Sequence, residues 1–234
     1  MVSLADEDAK SRVLAHGWRP PRGEPTTLEG GGLRLQMTTS GPRTFEPGLL
    51  VGVLPDGGVA YTDTSAYAVK VVGSDGVPAR TLRRPFRPAA VTERMMTAER
   101  ERRLAELESG EGPQMRLMVG GRGGGAPQAV PQEQIREMMR NQIQQMQFYP
   151  ELPVVQALAT SWTGKIWVER RGSAPTDPGP IDVLTPTGQY QGTFAVGATE
   201  IPSAFGPDGL AAFVELDAFD VPTVVVRRLP QVLN

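Results

Sequence analysis

The run Ser161-Trp162-Thr163-Gly164-Lys165-Ile166-Trp167-Val168-Glu169-Arg170 decides how the rest of the chain reads. A Thr-Gly pair between β-prone residues is a hairpin signal, because glycine accepts the positive φ that a tight turn needs. Ile-Trp-Val directly after it is a strand. Successive strand residues point to opposite faces, so Ile166 and Val168 share one face while Trp167 and Glu169 take the other.

Working outward, the same pattern recurs twice. Pro55-Asp56-Gly57-Gly58 leads into Val59-Ala60-Tyr61-Thr62, and Gly206-Pro207-Asp208-Gly209 leads into Leu210-Ala211-Ala212-Phe213-Val214. Each copy continues alike. Ala68-Val69-Lys70-Val71-Val72 follows the first, Ile181-Asp182-Val183-Leu184 the second and Val221-Pro222-Thr223-Val224-Val225-Val226 the third. Turn signals at Gly73-Ser74-Asp75-Gly76 and Thr185-Pro186-Thr187-Gly188 add a fourth strand to the first two copies. The pattern predicts four-stranded antiparallel meanders, with strands near 49–54, 58–63, 67–72 and 77–83, and near 154–160, 165–170, 180–184 and 189–195. A sandwich pairing of the same strands is the main structural alternative.

Gly164 and Gly209 stand 45 residues apart, the period of one β-propeller blade. Gly58 and Gly164 stand 106 apart, so residues 88–150 read as an insertion, and its composition changes with it. Thr92 to Glu108 is rich in helix formers with Thr92 as N-cap. A second helix is expected from Pro131, ending before Pro150, with Ile135, Met138, Met139, Ile143 and Met146 on one face. Between them the Gly120–Gly125 run reads as a flexible segment. The insertion packs on its own domain or serves as a lid or partner-docking hairpin. Residues 1–32, with Pro20, Pro21, Pro25 and Gly30-Gly31-Gly32, read as an extended leader, leaving 33–234 as the β domain interrupted by 88–150.

These turn-plus-strand units, Pro-Asp-Gly-Gly-Val-Ala-Tyr, Gly-Lys-Ile-Trp-Val-Glu-Arg and Ile-Asp-Val-Leu-Thr-Pro-Thr-Gly-Gln-Tyr, resemble those of the bacterial six-bladed β-propeller superfamily, NHL-like in the broad sense. The likeness spans roughly residues 45–88 and 150–234. It implies an all-β fold of propeller blades, each a four-stranded meander, with an α-helical insertion. A six-bladed ring needs about 250–300 residues, and the repeats here account for about three blades. The expectation is a C-terminal portion of a larger propeller, or two chains closing one ring. Open sheet edges would favour self-association.

Of 234 residues, 39% are hydrophobic and 21% charged, with a net charge of −2. No basic excess points to nucleic acid, and no apolar run reaches transmembrane length. Zero cysteines exclude disulfides and thiolate metal sites in the chain, and His16 is the single histidine. The first residues show no signal peptide, while a longer parent would be free to carry one, so localisation stays open. Aspartates 56, 63, 75, 182, 208, 217 and 220 recur near turns, where Asp bonds its own backbone. No nucleophile constellation stands out. No metal ligands or cofactor are assigned from the residues. In the family resembled, some members are metal-dependent hydrolases or lyases, and that is the alternative to a non-catalytic binding or scaffold module. Trp167 is read as core between blades or as part of a ligand surface. With Glu169, Arg170 and Arg171, where the strand meets its loop, it makes up the candidate ligand contact. Arg83-Arg84 and Arg227-Arg228 follow similar strands and read equally well as ion-pair partners.

Overall fold

Five hairpin turns share one geometry in the computed structural model, which describes residues 12–18, 25–30, 33–38, 43–110, 118–119, 128–129 and 132–230. In the turns that start at Leu54, Gly73, Ser161, Thr185 and Asp217, the first N–H donates to the carbonyl four residues on. The fourth N–H donates back to the first carbonyl, all at 2.8–3.1 Å. The fourth residue is Gly57, Gly76, Gly164, Gly188 or Asp220, and each has a φ between +58° and +90°. That left-handed position is why four of the five are glycine.

The elements follow in order: β1 (Pro25–Gly30), β2 (Leu33–Thr38), β3 (Leu50–Val53), β4 (Val59–Thr62), β5 (Ala68–Val72), β6 (Pro78–Arg83), β7 (Ala89–Ala90) and α1 (Glu93–Ser109). Then come β8 (Met118–Val119), β9 (Gln128–Ala129), α2 (Gln132–Gln144), β10 (Glu151–Leu152), β11 (Val155–Thr160) and β12 (Ile166–Arg170). The chain continues with β13 (Ile181–Leu184), β14 (Tyr190–Phe194), β15 (Ala204–Phe205), β16 (Leu210–Leu216) and β17 (Pro222–Arg228).

The chain divides into two compact units. The first takes its described residues from Met1–Gly23, Phe45–Ala89 and Glu151–Asn234, the second from Glu24–Thr44 and Ala90–Pro150. In the first unit, β3-β4-β5-β6 form sheet 1, β11-β12-β13-β14 form sheet 2 and β15-β16-β17 form sheet 3, each an antiparallel meander in chain order. The two four-stranded meanders fall where the turn pattern puts them. Sheet 3 has three strands, and its first is only two residues long. No sheet among the described residues closes on itself.

The sheets stack face on face. Ala60, Val69 and Val71 of sheet 1 pack with Ile166, Val168 and Leu184 of sheet 2 in one core cluster. Trp167, Ile181 and Val183, on the other face of sheet 2, pack with Phe194, Ile201, Phe205 and Leu229 in a second. The alternation read along Ile166-Trp167-Val168 therefore serves two cores, and each fully buried aliphatic side chain contributes about 1.5–3 kcal/mol. Where β3 packs on β11, Gly52 leaves room for Thr160. A Cβ there would lie 2.6 Å from the Thr160 methyl, and Thr160 Oγ1 donates to the Val53 carbonyl at 2.6 Å. The backbones meet at this point because one side chain is missing.

In the second unit α1 starts at the expected cap: Thr92 has extended backbone and its hydroxyl accepts from Met95 N–H at 3.4 Å. Gly110, with a φ of 78°, ends it. Glu99, buried, accepts from Arg102 Nε and Nη2 at 2.8 and 2.7 Å and from Arg103 Nε at 2.7 Å. Burial opposes ionisation of Glu99, yet these two guanidiniums hold its carboxyl below the usual value. On α2, Ile135 is buried and Met138, Met139 and Ile143 are half-buried, the face expected from their spacing. β1 pairs with β2, so part of the segment read as a leader is a hairpin strand. β8 pairs with β9 on either side of the glycine run. The flexible reading of Gly120–Gly125 lies outside the described residues, as does most of the leader. No helix of the described residues is long and apolar enough to cross a membrane.

Candidate functional site

The four residues proposed from sequence as a ligand contact separate into distinct environments. Trp167 is 0% exposed. Its ring stacks on Phe194 with centroids 5.4 Å apart and tilts against Phe205 at 5.6 Å. It is a core residue and offers no surface to a ligand. Glu169 Oε1 accepts from Gln156 Nε2 at 2.7 Å and from Gly179 N–H at 3.3 Å. Arg170 turns to the sheet 1 side, 3.2 Å from Asp182 Oδ2 and 4.2 Å above the Phe86 ring.

Asp182 is the centre of that side. It is fully buried in mid-strand, with Arg84 Nη1 2.6 Å and Arg170 Nε 3.2 Å from the same oxygen, while Thr193 Oγ1 donates to the other. Arg84 also lies 4.2 Å from the Tyr190 ring centroid. Burial works against the charge of Arg84, and Asp182 outweighs it, holding the guanidinium above its ordinary value. Burial, and then the Asp182 carboxylate, push the Tyr67 phenol up as well. This cluster locks sheet 1 to sheet 2. Turn chemistry accounts for Asp56, Asp75 and Asp217, whose carboxylates accept from Gly58, Val77 and Phe219 N–H. It does not account for Asp182, nor for Asp63, which accepts from Lys70 Nζ and Trp18 N–H, both at 2.7 Å. Arg84 and Arg227 are ion-pair partners, the latter 2.5 Å from Glu215.

Arg171 reaches a different place. Its Nε donates to the Pro153 carbonyl at 3.1 Å and its Nη1 to the Pro175 carbonyl. The guanidinium lines a cavity of about 70 Å³ beside the first strands of sheets 1 and 2. A single water needs roughly 10–15 Å³ on this measure, so the cavity admits several waters or a small polar group. Its polar wall is Glu46, Thr62, Thr64, Gln156 and Arg171, with Leu50 and Val155 beside them. Thr62 is 2% exposed, and its Oγ1 has no hydrogen-bond partner among the described residues. Burial pulls Arg171 below its ordinary value, partly offset by Glu169. Sequence reasoning reached Arg171 but missed Thr62 and Gln156. Their only signal is their register on β4 and β11, which says nothing until the two sheets are docked.

A second, apolar groove of about 230 Å³ runs between residues 12–17 and the outer face of sheet 1, lined by Leu14, Leu49, Val51, Val59 and Tyr61. His16 is exposed. Among the described residues no three His, Cys, Asp or Glu side chains stand together as a metal-ligand set. No protein-family model and no curated protein matches the chain.

Proposed function

We propose that this chain is a non-catalytic binding or scaffold module built as part of a β-propeller, in which the stacked meanders are the frame and their first-strand edge is the binding surface. The observation that carries the reading is the stack itself: consecutive meanders pack face on face in chain order, and the middle one is buried on both sides. In a propeller every sheet has such a neighbour. The outer face of sheet 3, by contrast, exposes Val214, Leu216, Val224 and Val226, and in this reading a further sheet of the same kind covers it.

Light scattering with thermal melting of the purified chain tests the reading. The expected result is a cooperative melt and a mass above the 25.2 kDa of one chain, reduced toward one chain by V224D/V226D. A monodisperse single chain whose mass and melting are indifferent to V224D/V226D would make those faces finished surfaces and end the partial-propeller reading.

A further inference from the structure

We infer that the cavity beside β3 and β11 is a receptor for a carboxylate group; this rests on the binding-module reading and names the chemistry of its ligand. Three features converge there. The first is charge. The Arg171 guanidinium is half-buried and held by two backbone carbonyls, which fix its position without neutralising it. Among the described residues no carboxylate lies within ion-pair distance of it. The nearby acid, Glu169, has its Oε1 already taken by Gln156 and Gly179. Glu46, the one acid on the cavity wall, has an interaction of its own. With Nε and Nη1 each engaged once, Nη2 and the second Nη1 proton remain to donate to a carboxylate.

The second feature is the Thr62 hydroxyl. A buried polar group without a partner costs about 1–3 kcal/mol, and such groups in native proteins usually meet a water, an ion or a ligand. The Thr64 hydroxyl stands beside it; its oxygen accepts from Ala66 N–H at 3.4 Å, leaving its proton free to donate. Together the wall offers a cationic fork and two hydroxyl donors, the complement of an anion with two acceptor oxygens. The third feature is size. The space suits a carboxylate head and excludes a bulky ligand, so the rest of a larger molecule would lie outside the cavity.

This position contrasts with the Asp182 cluster across the same sheet pair. There Arg84 and Arg170 already have their carboxylate, supplied by the chain. At Arg171 the corresponding partner is not supplied, and the ligand supplies it.

The test uses the full chain, with acetate and formate titrated against chloride at constant ionic strength and followed by NMR shifts and melting temperature. A short peptide with a free C-terminus and its amidated twin serve as competitors. Saturable acetate binding is expected, weakened roughly tenfold or more by Arg171→Lys and several-fold by Thr62→Val. Thr62→Val keeps the side-chain shape and leaves the fork intact, so it decides the matter if Arg171→Lys disturbs the Pro153 and Pro175 contacts. Glu46→Gln, which removes a like charge, is expected to strengthen binding. Competition by the free peptide but not the amide assigns the carboxylate to a chain terminus; binding of the small acids alone assigns it to a free acid. No saturable binding, binding unchanged in Thr62→Val, or binding abolished by Glu46→Gln would overturn the proposal. If acetate fails while V224D/V226D still changes the mass, only the ligand assignment falls. If acetate binds to a chain with finished faces, the cavity assignment stands without the partial ring.

Discussion

Sheets 2 and 3 use the same turn and the same kind of strand, yet one is covered on two faces and the other on one. In sheet 2, β12 and β13 are buried on both sides, and Trp167 has no exposure at all. In sheet 3, Ala211 and Phe213 turn inward while Val214, Leu216, Val224 and Val226 turn out, with Val224 66% exposed. A strand that reads as an unbroken apolar run is normally covered on both faces. The two sheets therefore differ in what covers them: sheet 2 has a packed neighbour on each face, and sheet 3 on one face among the described residues. An apolar patch of this extent on a sheet face marks an interaction surface.

The largest expected effect is at Trp167. Trp167→Ala is expected to cost about 3–5 kcal/mol, read from denaturant midpoints, whereas Val224→Ala, measured at a dilution that keeps the chain monomeric, stays within about 0.5 kcal/mol. Trp167→Phe should cost much less than Trp167→Ala, because the indole N–H it removes has no partner among the described residues. A large effect at Val224 would mean that the outer face of sheet 3 is already covered in solution.

The ion pairs sharpen the same contrast. Asp182→Asn leaves Arg84 and Arg170 without their carboxylate at a buried site and is expected to destabilise by about 3 kcal/mol. Glu215→Gln removes the exposed partner of Arg227 in sheet 3, with an expected change of about 0–1 kcal/mol by the same chemical-denaturation measurement. Equal effects would contradict the assignment of Asp182 as the lock between sheets 1 and 2.

Smaller effects than those at Trp167 and Asp182 are expected in the shared turn. Gly188 has a φ of 90°, and a Cβ there would lie 2.3 Å from Leu82 Cδ2. Gly188→Ala should cost about 1–2 kcal/mol in the melting curve. Asp220 holds the matching position in sheet 3 with a φ of 58°, so Asp220→Gly should be neutral or raise stability by a few tenths of a kcal/mol.

The turns were legible because a left-handed residue is a local demand that glycine meets openly in the sequence. The strands between them followed, and so did the alternation that sends Ile166 and Trp167 to different cores. Thr92 as a helix cap was legible for the same reason: its partner, Met95 N–H, is three residues away. Asp182 was not. It stands one residue from strand-forming neighbours and resembles the turn aspartates, while its meaning comes from Arg84, nearly a hundred residues earlier. The cavity was hidden in the same way, because Thr62 and Arg171 belong to different sheets. Arg171 was within reach as a residue at a strand end; Trp167, grouped with it, stands mid-strand under Phe194 and Phe205 and belongs to the core.

The insertion after sheet 1 has a consequence for the order of assembly. β14 and β15 are joined by a short loop, so sheet 3 finds sheet 2 by a local search. Between β6 and β11 the chain runs from Arg83 to Val155 before sheet 1 meets its neighbour. That stretch carries α1 and α2, with β7 paired to β10 at its ends, so sheets 1 and 2 meet through contacts of far higher sequence separation than sheets 2 and 3. Contacts of low sequence separation close sooner, so the Trp167 core is expected to gain hydrogen-exchange protection before the Asp182 lock during refolding.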